Sequence, residues 1–395
     1  MAGSSEAPAA AMKISVNTLF LIPGEVGGAE TYLCGVLDVI CAQHPEIALT
    51  LHTNAEGDEF LRRRYGRFPQ VAFDPLSFRA SSRYSRILRE QAQLPRHVRH
   101  TNPDVLWSPG YTAPYSSPCP QVVSILDMQY RPHPEDLSFT ARLATHILVS
   151  AACRRAERII TLSEFARREI VRYTHTAEDR IVVTPLAADP QFAQPAPEAA
   201  VRRVRERWLR SDAPYLLCVA NTYPHKNVPA LIAAFGALAG RIPHRLVLAG
   251  KPRLGEPAVQ RARAALSAPD RVVRITDRLE PAELRALYQG SALFVFPSLY
   301  EGFGLPVLEA MLAGVPVLAT RRASIPEVGA DAVRYFDDAQ PADLPEKVMA
   351  MLALPADERA RWCARAQAQA RTFTWERTAA LTIAALRTAA MPQSP

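Results

Sequence analysis

Two carboxylates, Glu301 and Glu309, bracket a loop carrying Gly302 and Gly304 in the stretch Pro297-Ser-Leu-Tyr-Glu-Gly-Phe-Gly-Leu-Pro-Val-Leu-Glu-Ala-Met-Leu-Ala-Gly314. Glycines let a ligand approach backbone closely, and N–H groups at a helix start favour an anion, above all a phosphate. Glu301 lies on the loop and Glu309 about one turn into the predicted helix, so they are separate tools and not two teeth on one face. A glycoside hydrolase also needs two carboxylates, but a Gly-rich loop between strand and helix argues against that reading. A second glycine turn, Gly27-Gly28, precedes Ala29-Glu30. It lacks the full G-x-G-x-x-G spacing and alone reads equally as a tight turn. Glu30 reads as a first-turn carboxylate favoured by the helix dipole. Lys226, within His225-Lys226-Asn227, is a candidate cation for a phosphate; Asp127 is either a reacting carboxylate or a cap. His133 and His175 stand alone and read as structural or exposed.

These residues need elements to place them. Apolar runs predict strands at 12–22, 47–52, 103–107, 121–127, 158–162 and 180–184, with helices at 31–41, at 137–156 and opening at Ser163. Residues 62–67 and 79–99 are Arg-rich and read as surface, helical in part. After a Pro- and Ala-rich stretch the alternation restarts, with strands at 215–219, 245–250, 272–275, 293–296, 314–319 and 334–336 and a closing amphipathic helix at 375–386. Such alternation predicts an α/β chain with parallel sheets covered on both faces. We expect a tail (1–11), a first domain (12–190), a linker (191–200), a second domain (201–373) and a closing helical segment (374–391). Two doubly wound, Rossmann-like domains would face each other across a cleft. Ligands in such sheets bind beyond the carboxyl ends of strands, where Gly27, Gly28, Asp127, Lys226 and Glu301 fall.

A length of 395 residues suits two such domains. The formal charge is +7, nearly all the basic residues being Arg. That excess suits anionic substrates or an anionic membrane surface, and equally a GC-rich genome. No basic block with interleaved aromatics points to nucleic acid. None of the six cysteines forms C-x-x-C, so buried reduced thiols in a cytoplasmic protein are expected. Residues 1–11 read as a disordered tail and not a signal peptide. No apolar run reaches the ~18 residues of a membrane span.

At Glu301-x7-Glu309 the chain resembles family 4 of the retaining glycosyltransferases, which have the GT-B fold. Gly27-Gly28-Ala29-Glu30, Thr161-Leu-Ser-Glu-Phe-Ala, Val182-Val-Thr-Pro-Leu-Ala-Ala-Asp189, His225-Lys226-Asn227, Ser324-Ile-Pro-Glu-Val and Phe373-Thr-Trp-Glu extend the resemblance over nearly the whole chain. It implies that Glu309 accepts hydrogen bonds from the ribose of a nucleotide-sugar and that Glu301 holds the transferred sugar. Backbone N–H groups of Gly302, Phe303, Gly304 and Leu305 would support sugar and diphosphate. Lys226, with Asn221 beside it, would meet the diphosphate, and the Gly27-Gly28 loop would close over it. Asp127 is the first domain's candidate catalytic carboxylate. No metal and no cofactor are implied.

Two positions depart from the family pattern. Leu126 stands where His usually precedes Asp127, and Ala220-Asn221 stand where Gly-Arg is common, so that Lys226 would act with another cation, His225 or an Arg. The expected activity is metal-independent hexosyl transfer, best read as mannosyl, from GDP-mannose or a UDP-hexose to a glycan or lipid-linked acceptor in surface polysaccharide synthesis. Peripheral contact with an anionic membrane follows from the basic first domain. The alternatives are a sugar-nucleotide epimerase, a sugar phosphorylase or a degenerate nucleotide-sugar-binding module.

Overall fold

The computed structural model describes residues 12–391; the expected tail at 1–11 lies outside them. The chain forms two compact units. The first comprises residues 12–128, 139–186 and 375–391, the second residues 129–138 and 187–374. The short 129–138 segment therefore packs with the second unit, although it lies within the sequence span 12–190.

Seven strands build the first unit: β1 (Met12–Asn17), β2 (Ile47–Thr53), β3 (Val71–Pro75), β4 (Val105–Ser108), β5 (Gln121–Ser124), β6 (Arg158–Thr161) and β7 (Ile181–Val183). All pair in parallel, in the order β3-β2-β1-β4-β5-β6-β7. Its helices are α1 (Gly28–Gln43), α2 (Asp58–Tyr65), α3 (Arg83–Ala92), α4 (Leu94–Thr101), α5 (Phe139–Arg155) and α6 (Glu164–Thr174). The Ser163 hydroxyl caps α6 by accepting from Ala166 N–H at 3.1 Å.

The first strand ends at Asn17, short of the expected Ile22. Thr18 N–H still bonds His52 O, but Leu21 N–H turns back to Thr18 O. Leu19 and Leu21 are buried as loop residues, which is why the apolar run overshot the strand. The edge strand β3 has no counterpart in the sequence reading. Its residues are half-exposed or exposed throughout, so no apolar run marks it.

Six strands build the second unit: β8 (Tyr215–Val219), β9 (Arg245–Ala249), β10 (Val272–Ile275), β11 (Leu293–Phe296), β12 (Val317–Thr320) and β13 (Arg334–Phe336). They are parallel in the order β10-β9-β8-β11-β12-β13. The helices are α7 (Glu198–Arg203), α8 (Val228–Leu238), α9 (Glu256–Ala264), α10 (Pro281–Gly290), α11 (Leu305–Leu312), α12 (Ile325–Gly329), α13 (Asp343–Leu352) and α14 (Ala356–Ala370). Leu216, Leu231, Phe235, Leu246, Leu248 and Val295 share one core cluster between sheet and helices. The 191–200 stretch is tied to α10. Gln289 donates to Phe192 O at 3.1 Å and to Gln194 O at 2.7 Å, and its own side-chain oxygen accepts from Ala196 N–H at 2.9 Å.

Helix α15 (Trp375–Ala390) completes the first unit by packing on α1. A Cβ at Gly35 would lie 2.4 Å from the Trp375 ring, so the two helices meet because position 35 has no side chain. Both sheets are doubly wound and reverse direction once, between β1 and β4 and between β8 and β11. At such a switch point the loops leaving neighbouring strands diverge and open a crevice.

Candidate functional site

In the second unit the strands flanking the switch point feed the residues singled out above. From β8 the chain enters a short turn, Pro224–Lys226, then α8. Asn227 between them adopts φ 52°, which Asn tolerates better than most residues. From β11 the chain runs into the glycine loop and α11. Leu299 N–H bonds His225 O at 2.8 Å and links the two loops.

Lys226 Nζ donates to Glu301 Oε1 at 2.6 Å, with the two side chains 18% and 10% exposed. A pair this short and this dry is a charge-assisted hydrogen bond, stronger than an exposed ion pair. Ser324 Oγ donates to Glu301 O at 2.9 Å and fixes the backbone from the far side. Phe303 turns its ring inward, edge-on to Phe373 at 5.7 Å, leaving only its backbone to the loop. Gly304 caps α11 at φ 100°, where a Cβ would meet only Ile325 at 3.8 Å; backbone conformation, not crowding, demands glycine. Gly302 precedes it in the same bend.

Glu309, half-buried in α11, accepts from Tyr288 Oη at 2.8 Å. Burial pushes its carboxyl up to about 7; the Tyr288 hydrogen bond works the other way and the charge of Asp189 adds to the rise.

His225, weighed above as a second cation beside Lys226, is buried and its ring is paired with a carboxylate. Its Nδ1 donates to Asp136 Oδ2 at 2.9 Å, and Gln129 Nε2 donates to the same oxygen at 2.7 Å. Burial opposes the Asp136 charge, but these hydrogen bonds hold the carboxyl below the ordinary range. Tyr223 stacks on His225 at 5.7 Å. His133 is not alone: its ring lies 5.5 Å from both His225 and Tyr300. Asn221 faces its own scaffold, its side-chain oxygen accepting from Lys251 N–H at 2.9 Å. Asp136 and Tyr288 carried no signal in the sequence, because their partners lie 89 and 21 residues away.

In the first unit Gly27 caps α1 at φ 56°. A Cβ on Gly28 would touch nothing within 4 Å, so intramolecular packing does not demand glycine there. Glu30 Oε2 accepts from Gly24 N–H at 2.6 Å and closes the loop from the first helical turn. Asp127 lies three residues beyond β5 and accepts from Tyr111 Oη at 3.1 Å. Tyr111 sits at φ 69°, a costly conformation for a bulky residue. Leu126 is buried.

The switch point of the second sheet thus carries a glycine turn into a helix, a lysine–carboxylate pair and a helix carboxylate held by a tyrosine. Residues 202–369 match the family described as glycosyl transferases group 1, and residues 26–192 match glycosyltransferase family 4. The chain belongs to this glycosyltransferase family. It is 34% identical over 236 residues to O-antigen chain mannosyltransferase B of Escherichia coli, covering 59% of this chain and 61% of that one. It is 33% identical over 238 residues to the serotype-specific mannosyltransferase WbdA of E. coli, covering 59% of this chain and 29% of that one. The matched region thus spans under two thirds of either relative. Anabaena Alr3699/HepE, solved in complex with UDP-glucose, superposes with TM-score 0.75 at 18% identity, covering 95% of this chain and 100% of that one. Both units have the Rossmann-like form of the GT-B fold.

Proposed function

We propose that the protein is a retaining, metal-independent hexosyltransferase that moves mannose from GDP-mannose to a glycan or lipid-linked acceptor in surface polysaccharide synthesis. The observation that carries this reading is the Lys226–Glu301 pair at the mouth of the glycine loop. A donor diphosphate would draw Lys226 toward its developing charge, while Glu301 would turn to the sugar hydroxyls. Backbone N–H groups of Gly302, Phe303, Gly304 and Leu305 would support the departing anion, aided by the start of α11. Glu309 would exchange its proton for hydrogen bonds from the ribose. The open space at Gly28 supports close ligand approach to that backbone. The mannosyl choice is supported by the names of the relatives.

Transfer with retention breaks the bond from sugar C1 to the diphosphate and joins the acceptor oxygen to C1 on the same face. The acceptor proton passes to the departing phosphate. Asp127 remains the one first-unit carboxylate proposed near the reaction; a trapped glycosyl-Asp127 would replace this route by double displacement.

The lipid-linked acceptor is supported by an exposed apolar stripe on α5, Phe139 (69% exposed), Leu143 (50%) and Ile147 (55%), and by Tyr84 (87%) and Leu88 (66%) on α3. Arg142 lies over the Phe139 ring at 5.5 Å. Aromatic and aliphatic residues beside arginines are the composition of an interfacial helix face. Among the described residues no helix is long and apolar enough to cross a membrane.

Thermal-shift screening of nucleotide-sugars tests the donor. GDP-mannose is expected to raise Tm more than UDP-glucose, since a ligand bound to the folded state stabilises it. NMR of the product's anomeric centre tests retention. A β-linked product would overturn it.

A further inference from the structure

We propose that the first unit holds a divalent transition-metal site, zinc by preference, built by His52, Asp74 and His97. His52 and Asp74 are register partners on β2 and β3, the edge strand of the sheet. His97 comes from α4, whose Leu94 and Val98 anchor it in the core. The chain thus brings one ligand from each of three elements to a single point.

The geometry fits a metal. Asp74 Oδ2 lies 3.0 Å from His52 Nδ1 and 2.8 Å from His97 Nδ1. One ligand atom from each residue lies within 4.8 Å of the other two. Tetrahedral zinc with bonds of about 2.0–2.1 Å spaces its ligands about 3.3 Å apart. Two of the three spacings lie within about 0.5 Å of that value, and the third is no more than 4.8 Å. Two imidazoles and a carboxylate are the donor types zinc accepts, with a water completing four-coordination.

The surroundings fit as well. A ligating imidazole must donate from its other nitrogen to fix its orientation. His52 Nε2 has Ser15 Oγ at 3.0 Å, and Ser15 in turn meets Thr101 Oγ1 at 3.1 Å, so the hydroxyl can accept from Nε2–H once Nδ1 binds metal. His52 is fully buried, while His97 and Asp74 are 34% and 26% exposed, which gives the ion an entry path. Once bound, the metal would pin β3 to β2 and α4.

Cobalt titration of tag-free, chelator-treated protein tests the proposal. One equivalent should bind with visible d–d bands and without a thiolate-to-metal transition, which separates this site from the six free cysteines. His97→Gln and Asp74→Asn should abolish stoichiometric binding. Ser15→Ala should weaken it about tenfold. His44→Gln, at a surface His–Glu pair, should leave it unchanged. Zinc should raise the Tm of the wild type and of His44→Gln but not of His97→Gln. Failure of the wild type to bind one equivalent, or equal binding by His97→Gln and wild type, would overturn the site. A variant that does not fold is read from its partner substitution, since His97 is half-exposed and Asp74→Asn keeps its shape.

Discussion

Lys226 and Glu301 hold each other at 2.6 Å, so each is a stabilising partner as well as a proposed ligand group. Lys226→Ala leaves a nearly buried carboxylate without its cation, and is expected to cost about 1–3 kcal/mol in denaturant unfolding. Glu301→Gln keeps a hydrogen bond to the sugar and to Lys226 but removes the lysine's counter-charge, so it should destabilise the fold less than Lys226→Ala. Losing one charged hydrogen bond of ~1.5–3 kcal/mol, it should slow transfer about 10- to 100-fold. Glu309 gives a pH test. Its folded-state pKa of about 7 lies above the ordinary carboxyl value, so its stabilising contribution is complete in acid and fades as pH rises toward 7. Glu309→Gln has no charge to bury, so its stability relative to wild type should rise from pH 5 to pH 8 by roughly 1–3 kcal/mol. An equal difference at both pH values would show that the carboxyl is not desolvated. The glycine loop, its two carboxylates and Lys226 were legible because each lies in a short contiguous pattern. The Lys226–Glu301 bond was not, because it joins residues 75 apart that only the β8–β11 neighbourhood brings together. His133 showed no partner in the sequence for the same reason: His225 and Tyr300 are remote in the chain.

At the scale of elements, the six strands of the second sheet were all legible, because most are short apolar runs bounded by turn residues. In the first sheet the edge strand β3 escaped, since an exposed edge buries no face and leaves no pattern. The contact of α15 with α1 depends on Gly35. Gly35→Leu would drive its side chain into the Trp375 ring, already 2.4 Å from a mere Cβ. Overpacking of this kind costs ~1–3 kcal/mol, so a lower Tm is expected, with faster hydrogen exchange in α15 than in the second-unit strands. Gly35→Leu with Trp375→Ala should recover part of the loss. No recovery would place the damage within α1 itself.

At the scale of the molecule, two Rossmann-like units with repeated strand order present glycine turns after β1 and β11, the arrangement expected of a donor-binding glycosyltransferase chain. The exposed face of α5 makes a prediction about location. Wild type should sediment with vesicles containing anionic lipid at low salt, and Phe139→Ser with Ile147→Ser should remain in the supernatant. Equal sedimentation of both would show that α5 is not the membrane-facing element. Nucleotide-sugar-dependent transfer through Glu301 is tested by acceptor-dependent release of nucleoside diphosphate. With GDP-mannose and a mannosyl glycan acceptor, the wild type should release GDP in step with acceptor extension, and Glu301→Gln should do so about 10- to 100-fold more slowly. Turnover undiminished by Glu301→Gln, or no acceptor-dependent release from GDP-mannose or any UDP-hexose, would contradict it.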